Sequence, residues 1–238
     1  MIEPTVKITV VLLPGMDGTG LLFEPFVAAL GVDLQVKIVR YPTEGDLGYE
    51  ELEAAARQQL PSDGQFIVVG ESFSGPIAVS LAASQPAGLI GLVLCSSFVS
   101  NPRPALGFLR LFTSVFPVKL APLAALSYFL MGRFSTAALR CALGSALAEV
   151  SSSALRARAK AVLSTDVSAM LGTIKIPLLY LLATEDRVVP ASACRRIVQI
   201  LPSTQVVRVE APHFLLQVAP AAAARTVGTF ARQARNIA

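Results

Sequence analysis

Apolar residues run along the chain in short continuous blocks separated by polar or turn-forming stretches. Val6–Leu13 (VKITVVLL), Gln65–Gly70 (QFIVVG), Leu89–Ser96 (LIGLVLCS) and Pro177–Ala183 (PLLYLLA) are apolar along nearly their whole length. They are short and mostly rich in branched aliphatic residues, so they read as strands covered on both faces. Leu34–Arg40 and Gln205–Val209 read as two more. Helical patterns lie between them: Leu22–Leu30, Tyr49–Leu60 closed by Pro61, Phe73–Ser84 closed before Pro86, Ser192–Leu201, and Phe214 to about Arg235. This alternation predicts an α/β fold: about six mainly parallel strands in one sheet, flanked by helices on both faces.

Asn101 to about Leu171 breaks the alternation. It opens on Pro102 and Pro104, has no clear strand, and carries several helical stretches. It reads as a helical cap, or lid, over residues 99–171, inserted between the fourth and fifth strands of a core made of residues 1–98 and 172–238. The 238 residues suit one compact domain with such an insertion.

Composition sharpens the picture by exclusion. Hydrophobic residues make up 53% of the chain and charged residues 15%, which argues against disorder. The mean hydropathy of +0.61 raises the question of a membrane span. The longest candidate, Leu120–Met131, is broken by Pro122 and Ser127 and is too short to cross a bilayer. Met1–Thr5 does not read as a signal peptide, so a soluble cytoplasmic protein is expected. Cys95, Cys141 and Cys194 form no C-x-x-C pair, and His213 is the one histidine. Neither a disulfide framework nor a metal site is indicated, and no cofactor is expected.

Charge is uneven along the chain. Between Val99 and Thr165 stand eight basic residues and one acid, Glu149, a net of +7 in a chain whose total is +4. The excess points either to an acidic partner or to an ordinary solvated helical surface. No interleaved aromatic and basic stripe accompanies it, so nucleic acid is not expected.

The chemistry-bearing string is Val68-Val69-Gly70-Glu71-Ser72-Phe73-Ser74-Gly75, at a strand end where a helix begins. A sharp strand-to-helix turn lifts a serine hydroxyl above the sheet edge, and small residues must flank it two positions away on each side. Gly70 and Ser74 stand there; Ser74 departs from the usual G-x-S-x-G. An ordinary turn with a helix-capping serine gives the same string. A serine nucleophile needs a base, and His213 follows the last strand in Glu210-Ala211-Pro212-His213-Phe214. Lone histidines are usually structural, but this one sits at a strand's carboxyl end, as Ser72 does, where ligands of open parallel sheets bind. Asp186, just past the fifth strand in Thr184-Glu185-Asp186-Arg187, is the preferred acid to orient the imidazole. Glu185 and Asp166 are its rivals. Backbone amides for a developing oxyanion are expected from Phe73 and from Met16, in the loop Pro14-Gly15-Met16-Asp17-Gly18-Thr19-Gly20. That loop lacks the G-K-[S/T] of a nucleotide-binding loop.

Taken with these motifs (L-P-G-M-D-G-T-G, G-E-S-F-S-G, T-E-D-R-V-V-P and A-P-H-F-L-L-Q), the chain resembles the α/β-hydrolase superfamily, of the serine carboxylesterase type. The resemblance implies a Ser72–His213–Asp186 triad acting through an acyl-enzyme. Two departures stand out: Pro14-Gly15 replaces the usual His-Gly, and one strand precedes that loop, so the two leading antiparallel strands common in the family are not expected here. The Leu-Pro-Gly-x-Asp-Gly-Thr-Gly stretch is similar to that of superfamily members that make lipid esters. The expected cap carries many large apolar residues, among them Leu106, Phe108, Phe112, Phe116, Tyr128, Phe129 and Met131. Packing accounts for most of them, and a hydrophobic acyl ester fits the remainder. With the basic excess, the cap resembles that of carboxylesterases cleaving the methyl ester of pimeloyl-acyl carrier protein, a step in biotin biosynthesis. That likeness makes Arg133, Arg140, Arg156, Arg158 and Lys160 the candidate contacts to an acidic carrier. The alternatives are a lipid or small-ester hydrolase, an acyltransferase with the same triad, or a non-catalytic binding protein on a hydrolase fold.

Overall fold

The computed structural model describes residues 7–105 and 122–237. Six strands, β1 (Ile8–Leu13), β2 (Leu34–Ile38), β3 (Phe66–Glu71), β4 (Leu89–Cys95), β5 (Leu178–Ala183) and β6 (Gln205–Val209), form one sheet in the order β2-β1-β3-β4-β5-β6. Every adjacent pair is parallel. The strands are apolar throughout because both faces are covered. Val11 and Leu13 point into one core layer, with Val68, Ile77 and Tyr180. Val10 and Leu12 point into the other, with Phe26, Ile67 and Phe230. The edge strands β2 and β6 are largely part-buried or exposed, as strands with one neighbour should be.

Helices α2 (Tyr49–Arg57), α3 (Gly75–Ala83) and α8 (Ala191–Ile200) cover the first face, and α1 (Glu24–Ala29) and α10 (Pro220–Ile237) the second. The last helical stretch differs from the expected single helix. Pro220 lacks an amide hydrogen and its ring excludes the preceding turn, so a short α9 (Leu215–Val218) ends before it and α10 begins on it.

The chain leaves β1 outward to β2, then returns past β1 to β3. The loops after β1 and β3 therefore lie side by side and diverge, and a crevice opens at the strands' carboxyl ends. Between β4 and β5 come α4 (Leu123–Met131), α5 (Ala137–Ala148), α6 (Ser152–Ser164) and α7 (Ser168–Leu171). Side chains start α5 and α6: Thr136 and Ser151 accept from the amides of Leu139 and Ala154. The two ends of this segment are pinned together by a bridge between Ser100 and Asp166 and by the Val167 amide donating to the Val99 carbonyl. Leu171 packs in the main core, so α7 belongs with the sheet's own helices. By contrast, Met131, Leu143 and Ala146 pack on Leu22 and Phe214, while Val150 and Leu155 pack on Met16. Helices α4–α6 thus sit over the carboxyl ends of the strands. Leu106, Phe108, Phe112 and Phe116 lie outside the described residues. Among the described residues no helix is long and apolar enough to cross a membrane.

Candidate active site

Ser72 follows directly on β3 with φ of +49°, a left-handed conformation rare for a residue with a Cβ. Two glycines make room for it. A Cβ on Gly70 would lie 2.7 Å from Cβ of Ala78, and one on Gly75 would lie 1.8 Å from Oγ of Ser97. The second obligatory glycine is thus Gly75, one residue later than the usual pattern. Ser74 has an ordinary φ of −81° and a different task. Its buried hydroxyl donates to the Pro14 carbonyl, so the Tyr41 hydroxyl, 2.7 Å away, must donate to it. The turn is held from behind as well, by Ser97 Oγ donating to the Ser72 carbonyl at 2.6 Å.

The Ser72 hydroxyl lies 2.7 Å from Nε2 of His213, and Nδ1 of His213 lies 2.8 Å from Oδ2 of Asp186. His213 is 3% exposed, so this relay is shielded from water while Ser72 keeps one open side. The other carboxylate oxygen of Asp186 accepts the amides of Val188 and Val189, each at 2.8 Å. The loops that carry the two residues are themselves tied, the Glu185 amide donating to the Ala211 carbonyl. The rival acids point elsewhere. Glu185 pairs with Arg133, which holds its carboxyl below the usual carboxylate range. Asp166 accepts from the Ser168 amide and pairs with Arg196.

The loop after β1 lies beside this turn. The amides of Met16 and Phe73, expected from the sequence to receive an oxyanion, have no acceptor among the described residues. Glu71, the residue before Ser72, is buried. Its Oε1 accepts from Gln217 Nε2 at 2.9 Å, and burial pushes its carboxyl up to about 7.

The five basic residues expected to face a carrier do not form one surface. Arg158 is buried, its guanidinium donating to the carbonyls of Met16, Asp17 and Pro42. It is therefore unavailable to a docking partner. Arg133 is exposed but bridges Glu185 and Glu210. Arg140 is exposed and donates to Ser135. Arg156 and Lys160 line a cleft of about 1140 Å³ that also carries Asp46, Glu50 and Glu53, and whose lining includes neither Ser72 nor His213. Among the described residues no cluster of three His, Cys, Asp or Glu side chains is placed to hold a metal ion.

The alpha/beta hydrolase family model matches residues 10–226, nearly the whole chain. The chain belongs to the alpha/beta hydrolase family. Solved structures of the same fold include an enol-lactonase from Burkholderia xenovorans LB400, 18% identical with a TM-score of 0.80, over 94% of this chain and 91% of that one. A thermophilic esterase from Thermogutta terrifontis is 16% identical with a TM-score of 0.82, over 96% and 91%. A bromoperoxidase from Bacillus anthracis is 19% identical with a TM-score of 0.78, over 94% and 91%. At these identities the likeness establishes the fold. No curated protein sequence matches the chain.

Proposed function

We propose that this family member is a serine ester hydrolase with a hydrophobic acyl ester as substrate. The observation that carries the reading is the unbroken relay from the Ser72 hydroxyl through His213 to Asp186, at 2.7 and 2.8 Å, on a backbone turn that lifts the hydroxyl out of the sheet. As Ser72 Oγ attacks the acyl carbon, Nε2 of His213 takes its proton. Asp186 holds Nδ1–H and stabilises the imidazolium. The Met16 and Phe73 amides receive the oxyanion. Its collapse breaks the bond to the alcohol oxygen, which takes the proton from His213. Water then attacks the acyl-enzyme, giving one proton to His213 and releasing the acid. The proton returns to Ser72.

A carrier-bound methyl ester is one substrate within this class, and its support narrows to Arg140, Arg156 and Lys160, since Arg158 faces inward and Arg133 is already paired. Acyl transfer to an alcohol uses the same relay and rests on the L-P-G-M-D-G-T-G loop. Hydrolysis of p-nitrophenyl esters with acyl chains from two to sixteen carbons, by wild type and Ser72→Ala, tests the proposal. Ser72→Ala should lose turnover by about 10⁴-fold or more. Activity within tenfold of wild type would overturn the assignment. The chain-length optimum reads the depth of the acyl site.

A further inference from the structure

The loop after β1 is held by its carbonyls. Pro14 accepts from the Ser74 hydroxyl, Gly15 from the Gly18 amide, Met16 and Asp17 from Arg158, and Gly18 from the Tyr41 amide. Five consecutive carbonyls thus each have a donor. The amides of Gly15, Met16 and Asp17 have no acceptor among the described residues. The loop is tied down on one side and offers N–H groups on the other.

Two of those five carbonyls depend on one side chain that arrives from more than 140 residues away. Arg158 of α6 sends Nη1 to Met16 and Asp17, at 2.8 Å each, and Nη2 to Pro42 at 2.7 Å. It is 1% exposed and forms no ion pair among the described residues. Burial disfavours the charge, the Asp17 carboxylate favours it without forming an ion pair, and carbonyl dipoles solvate it directly. Two of the three dipoles here belong to the loop beside Ser72, and the third is that of Pro42. The fit is close. A Cβ on Gly18, at φ of +71°, would lie 2.7 Å from Nη1. The planar guanidinium holds its donors in a fixed fork, with Nη1 on one loop and Nη2 on another.

We propose that Arg158 is a positioning residue for the ester chemistry. The Gly15 carbonyl, held by the Gly18 amide, shares its peptide plane with the Met16 N–H, and Arg158 fixes the next two planes through the Met16 and Asp17 carbonyls. It thereby anchors the Met16 backbone on its far side and with it the loop amide that receives the oxyanion, so the seating of α6 and the assembly of the site are one event. The proposal rests on the serine-hydrolase reading above. The Pro14–Ser74–Tyr41 chain clamps the other end of the loop, and the Tyr41 ring lies 5.9 Å from the guanidinium.

The test compares wild type, Arg158→Met, Arg158→Lys and Arg158→Ala. Turnover is measured per active site counted with a fluorophosphonate, beside KM, melting temperature and the Ki of an alkyl boronic acid. The boronate adduct places an oxygen where the oxyanion forms. In Arg158→Met, kcat per counted site should fall about tenfold to a hundredfold, the scale of a small misplacement of catalytic groups. KM should stay within about twofold, and boronate affinity should fall with kcat. Added guanidinium at low millimolar concentration should raise kcat of Arg158→Ala and leave wild type unchanged. A side chain that only holds the fold together would lower the melting temperature and the number of counted sites, leaving turnover per site and boronate affinity at wild-type values; that result overturns the proposal. Should Arg158→Met not fold, the same split is read on Arg158→Lys. Ester hydrolysis that survives Ser72→Ala would instead remove the serine reading, and this proposal with it.

Discussion

Ser72 holds a strained backbone angle because every neighbour is built around it. Gly70 and Gly75 clear the space, Ser97 fixes its carbonyl, and Ser74 joins the turn to the Pro14 carbonyl. Reading Ser74 as a merely tolerated small residue misses that role, because nothing in a local string shows that a hydroxyl will meet a carbonyl sixty residues away. Glu71 is a second such residue. Burial raises its carboxyl to about 7, above the 4.5 of an unfolded chain. Between those two values the folded state binds more protons than the unfolded one, so stability from this group falls as pH rises through the window and is level above it. Glu71→Gln should remove this slope. The stability difference between wild type and Glu71→Gln, followed by denaturant titration from pH 4 to 8, should shift against wild type by roughly 3 kcal/mol across the window. A pH-independent difference would contradict the raised carboxyl.

At the scale of elements, the sheet brings together what the chain keeps apart. Ser72 follows β3, Asp186 follows β5 and His213 follows β6, and parallel pairing puts all three at one edge. This much was legible in the sequence, since apolar runs marked the strands and each candidate residue stood just past one. The break at Pro220 was marked too, by a proline inside a periodic run, yet the pattern around it reads through as one helix. Packing detail was not legible. Gly91 in β4 exists so that Phe230 of α10 can lie on the sheet: a Cβ there would stand 2.9 Å from the ring. Gly91→Ala should therefore destabilise by about 1–3 kcal/mol, the usual range for overpacking. In a Phe230→Leu background the same change should cost much less. Equal costs in both backgrounds, by denaturant titration, would show that the ring is not the obstacle.

Across the whole molecule, the charge asymmetry turns out to be partly structural. The segment between β4 and β5 carries the basic excess, and three of its arginines tie it to the body. Arg103 donates to the carbonyls of Arg187 and Val188, Arg133 bridges Glu185 and Glu210, and Arg158 enters the loop after β1. Sequence spacing reveals the surplus of cations but not their direction, because their acceptors are mostly backbone carbonyls far along the chain. The outcome is a helical segment fastened over the strand ends where the Ser72 relay lies. In the proposed mechanism Ser72 is the nucleophile and His213 its base. Treating the protein with a fluorophosphonate and mapping the adduct by peptide mass tests both roles. Labelling should fall on the Ser72 peptide, vanish in Ser72→Ala and slow about a thousandfold or more in His213→Ala, the scale of losing a catalytic base. An adduct on another residue, or labelling undiminished in Ser72→Ala, would contradict it.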